Sequence, residues 1–153
     1  MKKLFLLFTA SLALAAVYAQ NISSSKVPHA VTSAFKTQHP NIKNVSWEME
    51  NGGYEANFKM NGTNSSATYD EKGSLLESEA DIKVSQLPAG ASEYVKGHYK
   101  SPIKEASKIT KANGEVNYEA MVNHTDVIFD SNGKFLKETK EEKEDKEDKA
   151  KKH

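Results

Sequence analysis

The chain has 153 residues, of which 37% are hydrophobic and 27% charged, enough for one ordinary domain with one packed core. Lys plus Arg and Asp plus Glu both number 21, so the chain lacks the basic excess with which nucleic-acid-binding proteins displace counterions, and we expect no nucleic-acid partner. Cysteine is absent, which excludes disulfides, thiolate metal sites, cysteine nucleophiles and the lipid-modified cysteine of bacterial lipoproteins.

The first segment, residues 1–19, has the pattern of a secretory signal peptide. Two lysines precede an apolar run that reaches about Val17, and a small residue, Ala19, stands directly before Gln20. A membrane anchor is the alternative, but the run is shorter than the roughly 20 residues of a spanning helix. The sequence therefore predicts cleavage after Ala19, export to the periplasm or the medium without a membrane anchor, and a polar linker at residues 20–26.

The next segment has the pattern of one helix followed by four strands. In "VPHAVTSAFKTQHPNIKNV" apolar residues recur at three- and four-residue spacing from Val27, which predicts an amphipathic helix that Pro40 ends. From Val45 the apolar period becomes two, and the turns "NGG", "NGTN" and "EKG" separate four predicted strands that end near Ile82. Trp47 alternates in phase with Val45, so we expect its side chain in the core.

The second half repeats this order about sixty residues later. "LPAGASEYVKGHYK" aligns with the first helix, "NYEAMV" with "GYEANF", and "IFDSNGKFLK" with "TYDEKGSLLE". The sequence therefore predicts one domain at residues 27–137, made of the tandem repeats 27–82 and 87–137. We expect an α+β fold in which two helix-plus-four-strand units form one continuous antiparallel sheet of about eight strands, with both helices on one face. Residues 138–153, rich in Lys and Glu, are predicted to be a charged disordered tail.

Motifs of catalytic or metal-binding chemistry are missing from the sequence. "YDEKG" and "FDSNG" place an Asp three residues before a Gly, but without the alternating oxygen ligands and distal Glu of a calcium loop, so both predict hairpin turns. The five histidines lack metal-ligand spacing, and no G-x-S-x-G elbow or phosphate loop occurs. Glu48, Glu50 and Glu55 lie on neighbouring polar strand positions, a pattern typical of a solvated sheet face, with acid–base catalysis as the alternative. We expect a non-enzymatic protein without a cofactor or metal.

The motifs between residues 27 and 137 resemble those of the secreted bacterial PepSY-like domains, which are grouped with beta-lactamase-inhibitor-like folds. The resemblance rests on the Val27-Pro28 helix start, the "FKTQHP" run, Trp47-Glu48, Tyr54-Glu55-Ala56 and the Tyr69-Asp70-x-x-Gly73 turn. It implies tandem helix-plus-sheet modules that are exported and carry no catalytic residues. In the related inhibitors the exposed sheet face grips an enzyme. One departure from the repeat is Lys108, which stands near the position that Trp47 has in the first unit.

The expected function is that of an exported binding protein, a monomer that recognises a protein or peptide in the cell envelope. The resemblance implies inhibition of an envelope hydrolase or peptidase as one form of this activity. The alternative is a periplasmic protein that binds a small ligand or a cation through the acidic strands. The candidate partner-binding residues lie on the polar face of the predicted sheet: Ser46, Glu48, Glu50, Glu55, Asn57, Lys59, Asn117, Glu119, Met121 and Asn123.

Overall fold

A computed structural model describes residues 20–50 and 52–140 of the chain. The predicted signal peptide, residues 1–19, and residues 141–153 of the predicted tail lie outside the described residues. The elements in chain order are β1 (Gln20–Ile22), α1 (His29–Gln38), β2 (Val45–Glu50), β3 (Gly53–Met60), β4 (Thr63–Tyr69), β5 (Leu75–Ile82), α2 (Ala89–His98), β6 (Glu105–Lys111), β7 (Val116–Met121), β8 (Thr125–Asp130) and β9 (Phe135–Lys140).

The nine strands form one antiparallel sheet in which each strand pairs with its neighbours in the chain, in the order β1 to β9. The predicted fold class is confirmed: each unit is a helix followed by four strands, and the two units join where β5 pairs with β6. β1 is a ninth strand beyond the eight expected, because Gln20–Ile22 pairs with β2. The segment 20–26, expected as a linker, therefore contains β1 and a 3-10 turn at Ser24–Lys26, and β9 continues to Lys140, into the segment expected as tail.

Both helices pack on the same face of the sheet. α1 buries Val31 and Phe35 in one hydrophobic cluster, and α2 buries Ala91 and Val95 in a second. Each large apolar side chain that is fully buried contributes roughly 1.5–3 kcal/mol. The register carries this face across the junction of the units, since β5 and β6 pair in regular alternation from Glu77↔Lys111 to Ile82↔Ala106. The opposite face has no described helix over it, and we call it the helix-free face.

The repeated Asp-x-x-Gly motif forms the last hairpin turn of each unit. Oδ1 of Asp70 accepts hydrogen bonds from the backbone N–H groups of Ser74 (2.8 Å) and Lys72 (2.9 Å), and these bonds lower the pKa of the Asp70 carboxyl. Gly73 has a φ of +83° and lies against the first turn of α1, where an added Cβ would stand 2.6 Å from the carbonyl oxygen of Ala30. The motif therefore closes the hairpin and seats the helix on the sheet.

Trp47 is buried, with 3% of its surface exposed. Its counterpart in the second unit is Ala106 rather than Lys108. Trp47 pairs with Ala56 and Ala106 pairs with Ala120, and these partners occupy the same position in the two matching hairpins. Lys108 lies one alternation further along β6 and is exposed, so the core of the second unit does not contain a buried lysine.

Candidate functional site

The strand register assigns the predicted partner-binding residues to the helix-free face. Ser46, Glu48, Glu55, Asn57 and Lys59 alternate with the core residues of β2 and β3, and Asn117, Glu119 and Met121 do so on β7. Glu50 ends β2, and its side chain lies outside the described residues. Asn123 is in the turn between β7 and β8, where its φ is 52°.

The sheet does not bring these residues together as one patch. Strands β4, β5 and β6 separate the group on β3 from the group on β7. Neighbouring strands lie about 4.8 Å apart, so four strand spacings put roughly 19 Å between the two groups. The residues that lie between the two groups are not among the predicted partner-binding residues: Ser66, Thr68, Glu77, Glu79, Asp81, Ser107 and Ile109. A signal for them exists in the sequence, because acidic residues alternate with Ser78, Ala80 and Ile82 along β5.

A broad depression of about 1070 Å³ lies on the first unit, bounded by the loop between α1 and β2 and by strands β2 to β5. Acidic, amide and hydroxyl groups line it together with two lysines and the apolar side chains of Ile42, Val45 and Phe58. Within it, Nδ2 of Asn64 donates a hydrogen bond to Oδ2 of Asp81 at 2.7 Å. The lining includes Asn41, Lys43, Asn44, Ser46, Glu55, Asn57, Lys59, Asn64, Ser66, Glu79 and Asp81.

Glu79 is the central carboxylate of this face, because β5 is the fifth of nine strands. Its side chain is half-buried, and this desolvation raises the pKa of its carboxyl above the usual 4.5. The nearby hydroxyl of Ser107 opposes this rise in pKa, whereas the negative charges of Glu55, Glu77 and Asp81 add to it. Every charged group that shifts this pKa is therefore an acid.

The middle of the helix-free face is not the fully solvated wall that the alternation predicts. Ser107 and Asn117 are each 4% exposed, and Ile109 and Ile128 are 9% and 7% exposed. On this face these four side chains are bordered by side chains of the adjacent strands, and we attribute their burial to those neighbours. Oδ1 of Asn117 is buried and has no hydrogen-bond partner among the described residues. A buried acceptor without a donor costs about 1–3 kcal/mol.

Charge is separated between the two sides of the sheet although the whole chain is neutral. In the described residues, the register gives the helix-free face three lysines, Lys59, Lys111 and Lys137, of which Lys111 is paired with Glu115 at 2.7 Å. A larger number of acids faces the same way: Glu48, Glu55, Glu77, Glu79, Asp81, Glu105, Glu119 and Asp126. The lysine excess that balances them lies elsewhere on the chain.

The histidines do not converge on a site. His39 packs between Phe35 and Phe58, with ring centroids 5.0 and 4.6 Å away, and burial lowers its pKa. His98 stacks on Tyr94 and contacts its backbone oxygen. Over residues 20–50 and 52–140, no group of three or more His, Asp or Glu side chains is arranged to hold a metal ion. In the same ranges, neither helix has the length and apolar character needed to cross a bilayer.

Comparisons with known proteins agree with this architecture. Residues 16–77 and 52–137 match the family described as "Putative beta-lactamase-inhibitor-like, PepSY-like". No protein with curated annotation matches the chain significantly.

Three crystal structures from Bacteroides species share the fold. A Bacteroides eggerthii structure described as "putative periplasmic proteins" is 16% identical, with a TM-score of 0.61, over 74% of this chain and 88% of that one. A DUF2874 family protein of Bacteroides ovatus is 21% identical, with a TM-score of 0.58, over 73% and 86%. A BLIP-like protein of Bacteroides fragilis is 20% identical, with a TM-score of 0.53, over 72% and 83%.

Proposed function

We propose that this chain, which belongs to the PepSY-like, beta-lactamase-inhibitor-like family, is an exported, non-enzymatic protein that binds a protein or peptide through its helix-free face. The observation that carries the proposal is the depression of about 1070 Å³ on that side of the sheet, because its lining combines apolar side chains with a few polar and charged groups, as binding sites do. The fold neighbours described as periplasmic or BLIP-like support the compartment and the mode of action.

The predicted cleavage site is compatible with the described sheet. Cleavage after Ala19 would leave Gln20 as the first residue, which keeps Gln20–Ile22 of β1 in the mature protein. All nine strands would then remain in the mature protein. The mass of the protein recovered from a periplasmic fraction tests this, since a mature chain that begins beyond Ile22 would lack β1.

The binding proposal is tested with two charge-matched variants. Glu48→Lys with Glu77→Lys reverses two charges in one cross-strand row of the helix-free face. Glu71→Lys with Glu93→Lys reverses two exposed charges outside that face. Each protein is used to capture partners from envelope extract, and the captured protein is then purified and its affinity measured. We expect the first variant to lose at least tenfold in affinity and the second to match the parent chain. Equal affinity of all three proteins would reject this face.

Inhibition of a hydrolase or peptidase is the specific form of binding that we propose to test next. The purified partner is assayed for turnover with and without the chain. The alternative function is binding of a small ligand or cation, and the same depression supports it. Titration calorimetry with calcium, zinc and haem distinguishes it from protein binding.

A further inference from the structure

Strand β5 carries three acids at every second residue, and all three face the helix-free side of the sheet: Glu77, Glu79 and Asp81. We call them the acidic ladder. We propose that the acidic ladder is the contact site for an extended, lysine- or arginine-rich segment of the partner polypeptide, which runs along β5 with a basic residue at every second position. The inference rests on the proposed function and adds the chemistry of the partner to it.

The spacing of the ladder matches that of an extended peptide. Alternate residues of a strand lie about 6.8 Å apart, and an extended peptide has the same repeat for the side chains on one of its faces. Basic residues at positions i, i+2 and i+4 of such a peptide would therefore each meet one carboxylate. Basic residues that are adjacent in sequence would point to opposite sides, so only half of them could reach the ladder.

The ladder lacks a cationic partner within the described residues. Glu77, Glu79 and Asp81 form no ion pair there, and Lys111, the nearest lysine across β6, is held by Glu115. Asp81 accepts its one described side-chain bond from a neutral amide, that of Asn64. Three like charges on one central strand repel each other, and a cation placed among them removes that repulsion.

A second observation on the same face is a buried hydroxyl without a partner beside the ladder. Ser107 is the cross-strand neighbour of Asp81, and its hydroxyl lies near the carboxylate of Glu79. The side chain is 4% exposed, and its Oγ has no hydrogen-bond partner in the described part of the chain. Ammonium, guanidinium and peptide N–H groups are all donors, so a basic group held between Glu79 and Asp81 could donate a hydrogen bond to this oxygen.

The depression next to β5 gives this peptide its place. Glu79 and Asp81 form one side of it, while Lys43 and Lys59 line it as well. A basic segment is attracted to the ladder and repelled by the two lysines, which favours a position over β5 rather than over β2.

The test uses three synthetic peptides and the full chain, followed by amide chemical shifts. The alternating peptide acetyl-(Lys-Ser)4-amide has the predicted spacing, the block peptide acetyl-(Lys)4-(Ser)4-amide has the same composition, and acetyl-(Gln-Ser)4-amide has no charge. We expect the alternating peptide to bind at least fivefold more tightly than the block peptide, to shift residues of β4, β5 and β6, and to lose affinity as salt is raised. The uncharged peptide should bind at least tenfold more weakly.

Variants localise the contact. Glu79→Gln with Asp81→Asn should weaken the alternating peptide about tenfold, while the control Glu71→Gln with Glu93→Gln should leave its affinity unchanged. Absence of binding, equal affinity for the alternating and block peptides, or no effect of the ladder variant would overturn the inference. If the uncharged peptide bound equally well with shifts on the same strands, the face would remain a peptide site and only the basic partner would be refuted. Shifts confined to α1 and α2 would refute the face itself.

Discussion

Replacement of Gly73 by alanine tests whether the hairpin turn of the first unit seats its helix. The Cβ would lie 2.6 Å from the carbonyl oxygen of Ala30, where ordinary contact begins near 3.4 Å, so the helix would have to withdraw by about 0.8 Å. The φ of +83° costs an alanine about 1–2 kcal/mol, and crowding of a packed interface costs roughly another 1–3 kcal/mol. We expect Gly73→Ala to lower the free energy of unfolding by about 2–5 kcal/mol in urea titrations.

Gly114 provides the matched control. It has nearly the same φ, +85°, but an added Cβ would meet nothing within 4 Å. Gly114→Ala should therefore cost only the backbone part, about 1–2 kcal/mol. Gly133→Ala should behave like Gly73→Ala, because its Cβ would stand 2.7 Å from the backbone nitrogen of Ala91 in α2. Equal losses at Gly73 and Gly114 would show that the turn does not position the helix.

Three further changes test the core and the helix-free face by urea titration. Tyr69→Phe removes the 2.8 Å hydrogen bond to Oε1 of Gln38 and should cost about 0.5–1.5 kcal/mol; a loss like that of a cavity would contradict this. Trp47→Ala should cost about 3–5 kcal/mol, whereas Met49→Ala, at an exposed position on the same face of β2, should change stability by no more than about 0.5 kcal/mol. Similar losses for the two variants would contradict the burial of Trp47. Glu79→Gln should stabilise the fold at pH 7, because burial raises the pKa of the Glu79 carboxyl and disfavours its charged form. This gain in stability should disappear as the pH falls through the raised pKa to the usual 4.5. A gain that grows in acid would refute the assignment.

The fold could be predicted from the sequence because the sequence patterns that indicate it are local and occur once in each of the two units. The change of apolar period from about 3.6 to two marks the passage from helix to strand, and the Asp-x-x-Gly turns fix where each unit ends. β1 was missed because three residues are too few to show a period, and Gln20–Ile22 becomes a strand only by pairing with β2. Its formation is a tertiary effect.

The candidate site could be predicted only in part. Alternation correctly separates residues into two faces, so it places Glu48, Glu55 and Glu119 on the side away from the helices. It does not say how many strands intervene, and therefore which of those residues are neighbours. It also assigns every polar residue to solvent, whereas Ser107 and Asn117 are buried on this face. The net charge of the chain does not reveal the acidic face for a similar reason, because a sum over all residues does not say on which side of the sheet the charges lie.

The two units place one of their core aromatic rings on different elements. In the first unit Trp47 of β2 meets Phe35 of α1 edge to face at 5.5 Å, and α1 has the small Ala34 next to Phe35.

In the second unit Ala106 occupies the position of Trp47, and the helix supplies Tyr94, which corresponds to Ala34 and stacks on Phe135 at 4.8 Å. Cores tolerate such changes when the total volume and the pattern are conserved. Comparison of the units residue by residue therefore finds mismatches at Trp47 and Ala34, although the order of one helix and four strands is the same in both units. The same reasoning explains why fold neighbours at 16–21% identity superpose over most of their length: packing constrains the sum of side chains between helix and sheet more than the identity of any one.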